Sequence, residues 1–169
     1  MNITYRELFP SENKKYREIR FECLKNAAEN FGSTYEEQSV LPELFFETAI
    51  KNSDANAKIF GAFNSEELIA ICGYTREKGI KVRHKVLLVQ VFTKPEYRGK
   101  NVSFNLLKFM IEKIFADETI DVITLGVVSE NTSAIKLYER LGFEEYGCQK
   151  KYFKDGERYY DQKLMMLER

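Results

Sequence analysis

The sequence predicts an α/β fold, a mixed central sheet of about seven strands with helices on its faces. Three observations carry that expectation. Short β-rich runs recur along the chain and are separated by stretches whose apolar residues fall at helical spacing. Two of the runs, His84–Thr93 and Asp121–Ser129, are almost continuously apolar, as strands buried on both faces are. Asp155-Gly156 stands between two alternating runs, a strong short-range hairpin signal.

Each element can be justified in order. Asn2–Leu8 (NITYREL) alternates and reads as a first strand. Ser11 is placed to cap a helix in which Tyr16, Ile19, Cys23, Leu24, Ala27 and Ala28 form one apolar stripe. Gly32 ends it. A second helix is expected over roughly Glu36–Lys51, carrying Leu41, Leu44, Phe45 and Ile50. Ala57–Phe63 and Leu68–Glu77 form two strands joined by the hairpin-length turn NSEE. The apolar strand His84–Thr93 then feeds a polar turn and an amphipathic helix with Leu106, Leu107, Met110, Ile111 and Ile114 on one face. Asp121–Ser129 is the next strand. Asn131–Gly142 is a short helix with an Asn start and a Gly stop. The Asp155-Gly156 hairpin closes the chain. The order is β-α-α-β-β-β-α-β-α-β-β, and the 169 residues suit one domain, 1–169.

Composition narrows the function classes. Lys plus Arg and Asp plus Glu are equal at 26 each, which gives no support to a nucleic-acid or membrane-surface role driven by net charge. No run is long enough to cross a bilayer, and the N-terminus lacks the apolar core of a signal peptide, so a cytoplasmic protein is expected. Cys23, Cys72 and Cys148 are widely spaced, without a Cys-x-x-Cys, and read as buried reduced thiols. With His84 as the single histidine, no zinc pattern is available and no metal site is expected.

The chemistry concentrates in the turn after the long apolar strand. A helix start offers unpaired N–H groups and partial positive charge, both suited to an anion. Arg98 and Lys100 add charge, and Gly99 lets backbone approach a ligand. Asn101 tolerates a left-handed conformation better than other non-glycine residues, and Ser103 offers a hydroxyl. No Gly-x-x-x-x-Gly-Lys-Ser/Thr or Gly-x-Gly-x-x-Gly occurs, which disfavours a P-loop nucleotidase and a dinucleotide site. Taken alone, the turn reads almost as well as a capped corner.

A second segment, NTSAIKLYERLGF (Asn131–Phe143), follows the next strand at the spacing of a coupled site. Together, VFTKPEYRGKNVSFNLL and ENTSAIKLYERLGFEEYG resemble the GCN5-related N-acetyltransferase (GNAT) superfamily. Asn-x-x-Ala-x-x-Leu-Tyr-x-x-x-Gly-Phe is present in full; the turn motif departs from it, with Asn101 and Ser103 where small Gly or Ala residues are usual. The resemblance implies the acyl-CoA N-acyltransferase fold, a mostly antiparallel sheet with one splayed parallel pair, and acetyl-CoA as co-substrate. It implies that backbone of Val91 and Thr93 pairs with the pantetheine arm. Amides of Arg98, Gly99, Lys100, Asn101, Val102 and Ser103 would hold the pyrophosphate, and Asn131 would contact pantetheine or order a water. Tyr138 would sit near the sulfur as proton donor. Without the resemblance, Tyr138 reads as a core tyrosine beside Ala134, Leu137 and Leu141, and Asn131 as a plain helix cap.

The implied activity is direct acetyl transfer in a ternary complex to a primary amine of a small molecule or protein. It implies no nucleic-acid or membrane partner, and a monomer or homodimer. The acceptor would enter between GSTYEEQ and YFKDGERYY, with Thr34, Tyr35, Glu36 and Glu37 as candidates to hold a cationic amine. An ordinary acidic helix start explains those residues equally well. Lys136 and Arg140 read as solvated charges, His84 as structural or exposed, and Cys148 as packing. The rival readings are an acyl-CoA-binding sensor without turnover and an interaction domain without cofactor.

Overall fold

A computed structural model describes residues 2–169. Its elements are β1 (Ile3–Glu7), α1 (Asn13–Asn26), α2 (Tyr35–Ser39), α3 (Phe45–Lys51), β2 (Ala57–Asn64), β3 (Glu67–Arg76), β4 (Lys85–Thr93), α4 (Val102–Phe115), β5 (Val122–Val128), α5 (Thr132–Arg140), β6 (Glu144–Asp155) and β7 (Arg158–Glu168). The seven strands form one sheet in the order β1-β2-β3-β4-β5-β7-β6. Every neighbouring pair is antiparallel except β4–β5. Helix α4 makes the crossover that a parallel pair requires.

Both faces of the sheet are covered. On one, Leu106, Leu107 and Met110 of α4 and Ile135 and Tyr138 of α5 pack on Phe60, Cys72, Val86 and Ile123. On the other, Tyr16, Ile19 and Cys23 of α1 and Phe46 and Ile50 of α3 pack on Ile59, Ile71 and Phe92. Among the described residues no helix is long and apolar enough to cross a membrane.

Five expectations need correction. The first helix ends at Asn26, not at Gly32; Ala27 is its cap and Ala28 lies in a separate tight turn, Ala28–Asn30. Ser11 does not cap α1; it lies in a single tight turn, Pro10–Glu12, and Glu12 precedes the helix. The Glu12 carboxylate instead ties the turn to β1. It accepts from Arg6 Nη1 and Nη2 at 2.7 and 2.9 Å and from the Phe9 amide at 2.9 Å. The single helix expected over Glu36–Lys51 is two, α2 and α3, because Pro42 has no amide proton and pushes Leu41 out of the helical region. Leu41 and Phe45 are consequently exposed, while Leu44 and Ile50 are buried. The hairpin turn is Gly156-Glu157, since Asp155 pairs with Arg158. Gly156 takes φ +56° at the first turn position, where a two-residue hairpin often needs a positive value. Finally, Cys148 is exposed on the edge strand β6, whereas Cys23 and Cys72 are buried.

Candidate active site

The parallel pair determines the site. Strands β4 and β5 are in register only over Lys85–Leu87 and Val122–Thr124. Beyond that, β4 continues against β3 as far as Thr93, and β5 continues against β7 as far as Val128. The two strands therefore diverge, and a wedge opens inside the sheet. A bulge in β4 accompanies the divergence. Val89 pairs with Gly73 and Phe92 with Ile71, so Gln90 and Val91 together face one residue of β3 and have no register partner. Gln90 adopts φ +56°. Its side-chain oxygen accepts a 2.8 Å bond from the hydroxyl of buried Tyr16, which holds this unusual conformation against α1.

β4 is thus central but not covered on both faces throughout, in contrast to its sequence reading. Leu87 is exposed and Val89, Gln90 and Val91 are half-buried, because they line a cleft of about 500 Å³. The opposite wall is Thr124–Val128, and the end nearest α5 is formed by Asn131, Ala134 and Tyr138. Tyr138 is buried, with its ring edge-on to Phe143 at 5.8 Å. Burial, helped by neighbouring Cys72, pushes its hydroxyl above the usual tyrosine range, so it keeps its proton. No protein group hydrogen-bonds that hydroxyl among the described residues, yet Ser129 Oγ is the one fully buried polar side-chain atom without a partner. The Tyr138 hydroxyl therefore retains an opening to the cleft it lines.

Asn131 does two things. Its Oδ1 accepts from the Ala134 amide at 3.2 Å and caps α5. Its Nδ2 donates to Asn30 Oδ1 at 3.0 Å, which links the cap to the loop after α1.

The turn before α4 sits apart from the cleft lining and is exposed at Arg98, Gly99, Lys100 and Asn101. Gly99 has φ +73°, and nothing stands within 4 Å of where a Cβ would be. Asn101 is left-handed at φ +58° and ψ +15°, the conformation its amide side chain tolerates. Val102 is buried and anchors the helix start. Ser103 Oγ and Thr93 Oγ1 are 2.7 Å apart, and Arg98 Nε donates to the Thr93 carbonyl at 3.1 Å. Lys100 Nζ donates to the Glu96 carbonyl at 2.9 Å. The turn is braced by its own side chains, and the first amides of the 14-residue helix have no partner within the helix.

The profile of the acetyltransferase (GNAT) domain family matches residues 8–164. The chain belongs to that family. A spermidine N(1)-acetyltransferase of Vibrio cholerae is 32% identical over 84 residues, a match spanning 50% of this chain and 49% of that one. Two solved structures have the same fold over 99% of this chain. A GNAT-family acetyltransferase of Streptococcus pneumoniae gives TM-score 0.79 at 22% identity and is covered to 99%. Salmonella typhimurium yncA, solved with its cofactor acetyl-CoA, gives 0.78 at 17% and is covered to 94%.

In this GNAT chain a second cavity, about 430 Å³, adjoins the first and shares Phe31, Gly32, Ser33 and Phe153 with it. Thr34, Tyr35 and Glu36 line it, together with Lys154 and Asp155 of the late hairpin. Their side chains differ in freedom. Thr34 Oγ1 accepts from the Glu37 amide at 3.1 Å and Glu37 Oε2 accepts from the Thr34 amide at 3.0 Å, a reciprocal cap for α2. Tyr35 lies edge-on to Phe21 at 5.3 Å, under Lys25 Nζ. Glu36 alone is exposed with no side-chain partner. Tyr152 lines the first cleft, Tyr160 stacks on Phe153 at 5.0 Å, and Tyr159 faces out beneath Lys151 and Lys154.

Lys136 and Arg140 are exposed, and Arg140 lies over Phe104. The main-chain oxygen of His84 accepts from Asp121 and Val122, where the parallel pair begins. Sequence reasoning missed Arg20, Gln90 and Gln162. Arg20 had a signal: it lies four residues after Tyr16, on the apolar stripe between Ile19 and Cys23. Gln162 had none, since only the β5–β7 register sets it over Gly126, where a Cβ would come within 2.4 Å of its amide. No group of three or more His, Cys, Asp or Glu residues stands close enough to hold a metal among the described residues.

Proposed function

We propose that residues 1–169 act as one acetyl-CoA-dependent N-acetyltransferase, moving the acetyl group directly to a primary amine. The wedge between β4 and β5 carries this reading: it is a slot with main-chain edges and a proton-holding tyrosine at its end. Acetyl-CoA supplies an acetyl group activated as a thioester. The residues fit it. Extended main chain around Val91 and Thr93 suits a pantetheine arm lying as an added strand. The amides from Arg98 through Ser103, opening α4 with Gly99 and Asn101 left-handed, suit a pyrophosphate.

Within the slot, the amide of Val91, at the bulge and without a register partner, is the donor for the developing oxyanion. Tyr138 donates from its hydroxyl toward the leaving sulfur. With ordinary values of about 10 for tyrosine and about 8.5 for a thiol, complete transfer is uphill by roughly 2 kcal/mol. Burial raises the tyrosine further, so Tyr138 acts chiefly as a hydrogen-bond donor that stabilises the thiolate. Asn131 holds the α5 terminus in place, and its Nδ2, with one hydrogen given to Asn30, has the other left for the pantetheine arm. The attacking amine must arrive neutral. Among the described residues no carboxylate or imidazole lines the first cleft; Glu29, Glu36 and Asp155 border the adjoining cavity. Deprotonation therefore runs outward through water to that second cavity, with Thr34, Tyr35 and Glu36 on the acceptor's approach.

Acetyl transfer, followed as thiol release over a panel of amines, tests the proposal. Release with at least one primary amine is the expected result. Raised thermal stability with acetyl-CoA but no release for any amine identifies a sensor instead. The Vibrio cholerae relative gives polyamines a place in the panel.

A further inference from the structure

Arg20 is an unusual residue for its surroundings. Only 3% of it is exposed, and it lines the first cleft beside Phe31 and Gln90. A buried guanidinium is strongly destabilising unless a negative group faces it. Among the described residues no carboxylate stands within ion-pair distance of it. Arg20 Nε donates to the neutral amide of Gln38 at 3.1 Å, and Nη1 reaches the sulfur of Cys23 at 3.8 Å. The ring of Phe31 lies 5.2 Å from the guanidinium carbon. The nearby carboxylates are engaged elsewhere: Glu47 takes Arg17 at 2.6 Å, and Glu22 lies 3.9 Å from Lys94. A guanidinium has five N–H donors in a planar fork. Nη2 has no partner among the described residues and is not sealed from solvent, and Arg20 is one of the residues that line the cleft.

The rest of the cleft sharpens the point. Among the described residues Arg20 is the only charged one in its lining, and no Asp or Glu joins it. Inside this first cleft a second cationic centre on an acceptor would meet positive charge and no counter-charge, the carboxylates standing in the adjoining cavity, whereas a carboxylate would find a pre-formed fork. We infer that the acceptor is a small amine that also carries a carboxylate, with Arg20 as the specificity-determining residue that binds it. This rests on the transferase reading above and narrows its substrate. Gln38, bonded to Nε, is the positioning partner that keeps the outer edge of the fork turned to the cleft.

The test compares amino acids with their own carboxamides, alongside spermidine and O-phosphoethanolamine, by thiol release with acetyl-CoA. For the best acceptor, the free acid should exceed its carboxamide in kcat/KM by about tenfold to a hundredfold, the range of a charge-assisted hydrogen bond. That ratio should fall to near unity in Arg20→Gln and be only partly restored in Arg20→Lys, which keeps the charge but loses the fork. The wild-type ratio needs no variant, so it stands even if Arg20→Gln fails to fold. Equal rates for acid and amide, or spermidine as the leading acceptor, would overturn the inference while leaving the transferase intact. Preference for O-phosphoethanolamine would overturn the carboxylate assignment in favour of a phosphate. No release with any amine, despite stabilisation by acetyl-CoA, would remove the transferase reading and this one with it.

Discussion

Tyr138 shows how one side chain can be read two ways and then tested. It packs in the core against Phe143, as its helical position beside Ala134 and Leu137 suggests, and it also ends the cleft. Because its hydroxyl bonds no protein group, Tyr138→Phe removes no internal hydrogen bond and should leave the melting temperature nearly unchanged. Turnover should fall by about a hundredfold, the lower end of the range for a lost proton donor, with acetyl-CoA affinity kept. Unchanged turnover would confine the residue to packing. Other residues were legible to different degrees. Asn101 was readable as left-handed because few non-glycine side chains tolerate that region, and it is so. Gln90 was not readable: nothing local in VLLVQVF marks a positive φ, which comes from the bulge against β3 and the bond from Tyr16. Arg20 was readable in principle as a charge on an apolar stripe, but its lack of an ion-pair partner depends on contacts between α1 and α2 that no spacing reveals.

At the scale of elements, caps and breaks were the clearest signals. α5 begins at its Asn cap and stops before Gly142, whose φ of +93° suits the residue after a helix. The failure at α2 and α3 came from giving apolar spacing more weight than Pro42. α2 also separates two roles that its sequence left merged. Thr34 is the cap of a five-residue helix, so Thr34→Ala should lower stability by about 1 kcal/mol. Glu36 has no side-chain hydrogen bond among the described residues and gives α2 only a favourable charge in its first turn, so Glu36→Gln should leave the melting temperature nearly unchanged and raise the acceptor KM. Chemical denaturation and steady-state kinetics on the two variants check the split. A KM unaffected by Glu36→Gln would take that carboxylate off the acceptor's path.

For the whole molecule, the mixed sheet and its helices followed from where apolar strands and helical spacing alternate, while the parallel pair was expected only from the resemblance to the acetyltransferase family. The extent of the splay followed from neither, because it depends on how few residues β4 and β5 share and on β7 inserting beyond β5. The arrangement of charge predicts the pH response. Only a neutral amine attacks, so kcat/KM should climb with pH toward the ionisation of the acceptor itself. Among the described residues the cleft lining has no carboxylate or imidazole to add a step near neutrality. Tyr138 has a raised pKa, so its protonated form is retained as pH rises through the ordinary tyrosine value near ~10. No alkaline loss from this group should appear in that range. A pH–rate profile that declined above about 9 would point to a different acid.

The diverging strands have one more consequence. Past Leu87 and Thr124, two rows of main-chain groups face each other across a cleft rather than across a ladder, so the interior of the sheet contains the kind of unfinished border usually met at its rim. Amide protons on those rows, around Val89–Val91 and Gly126–Val128, should exchange with deuterium faster than those of β2 or β3 in the free protein. They should slow when acetyl-CoA is added, as a guest chain completes the weave.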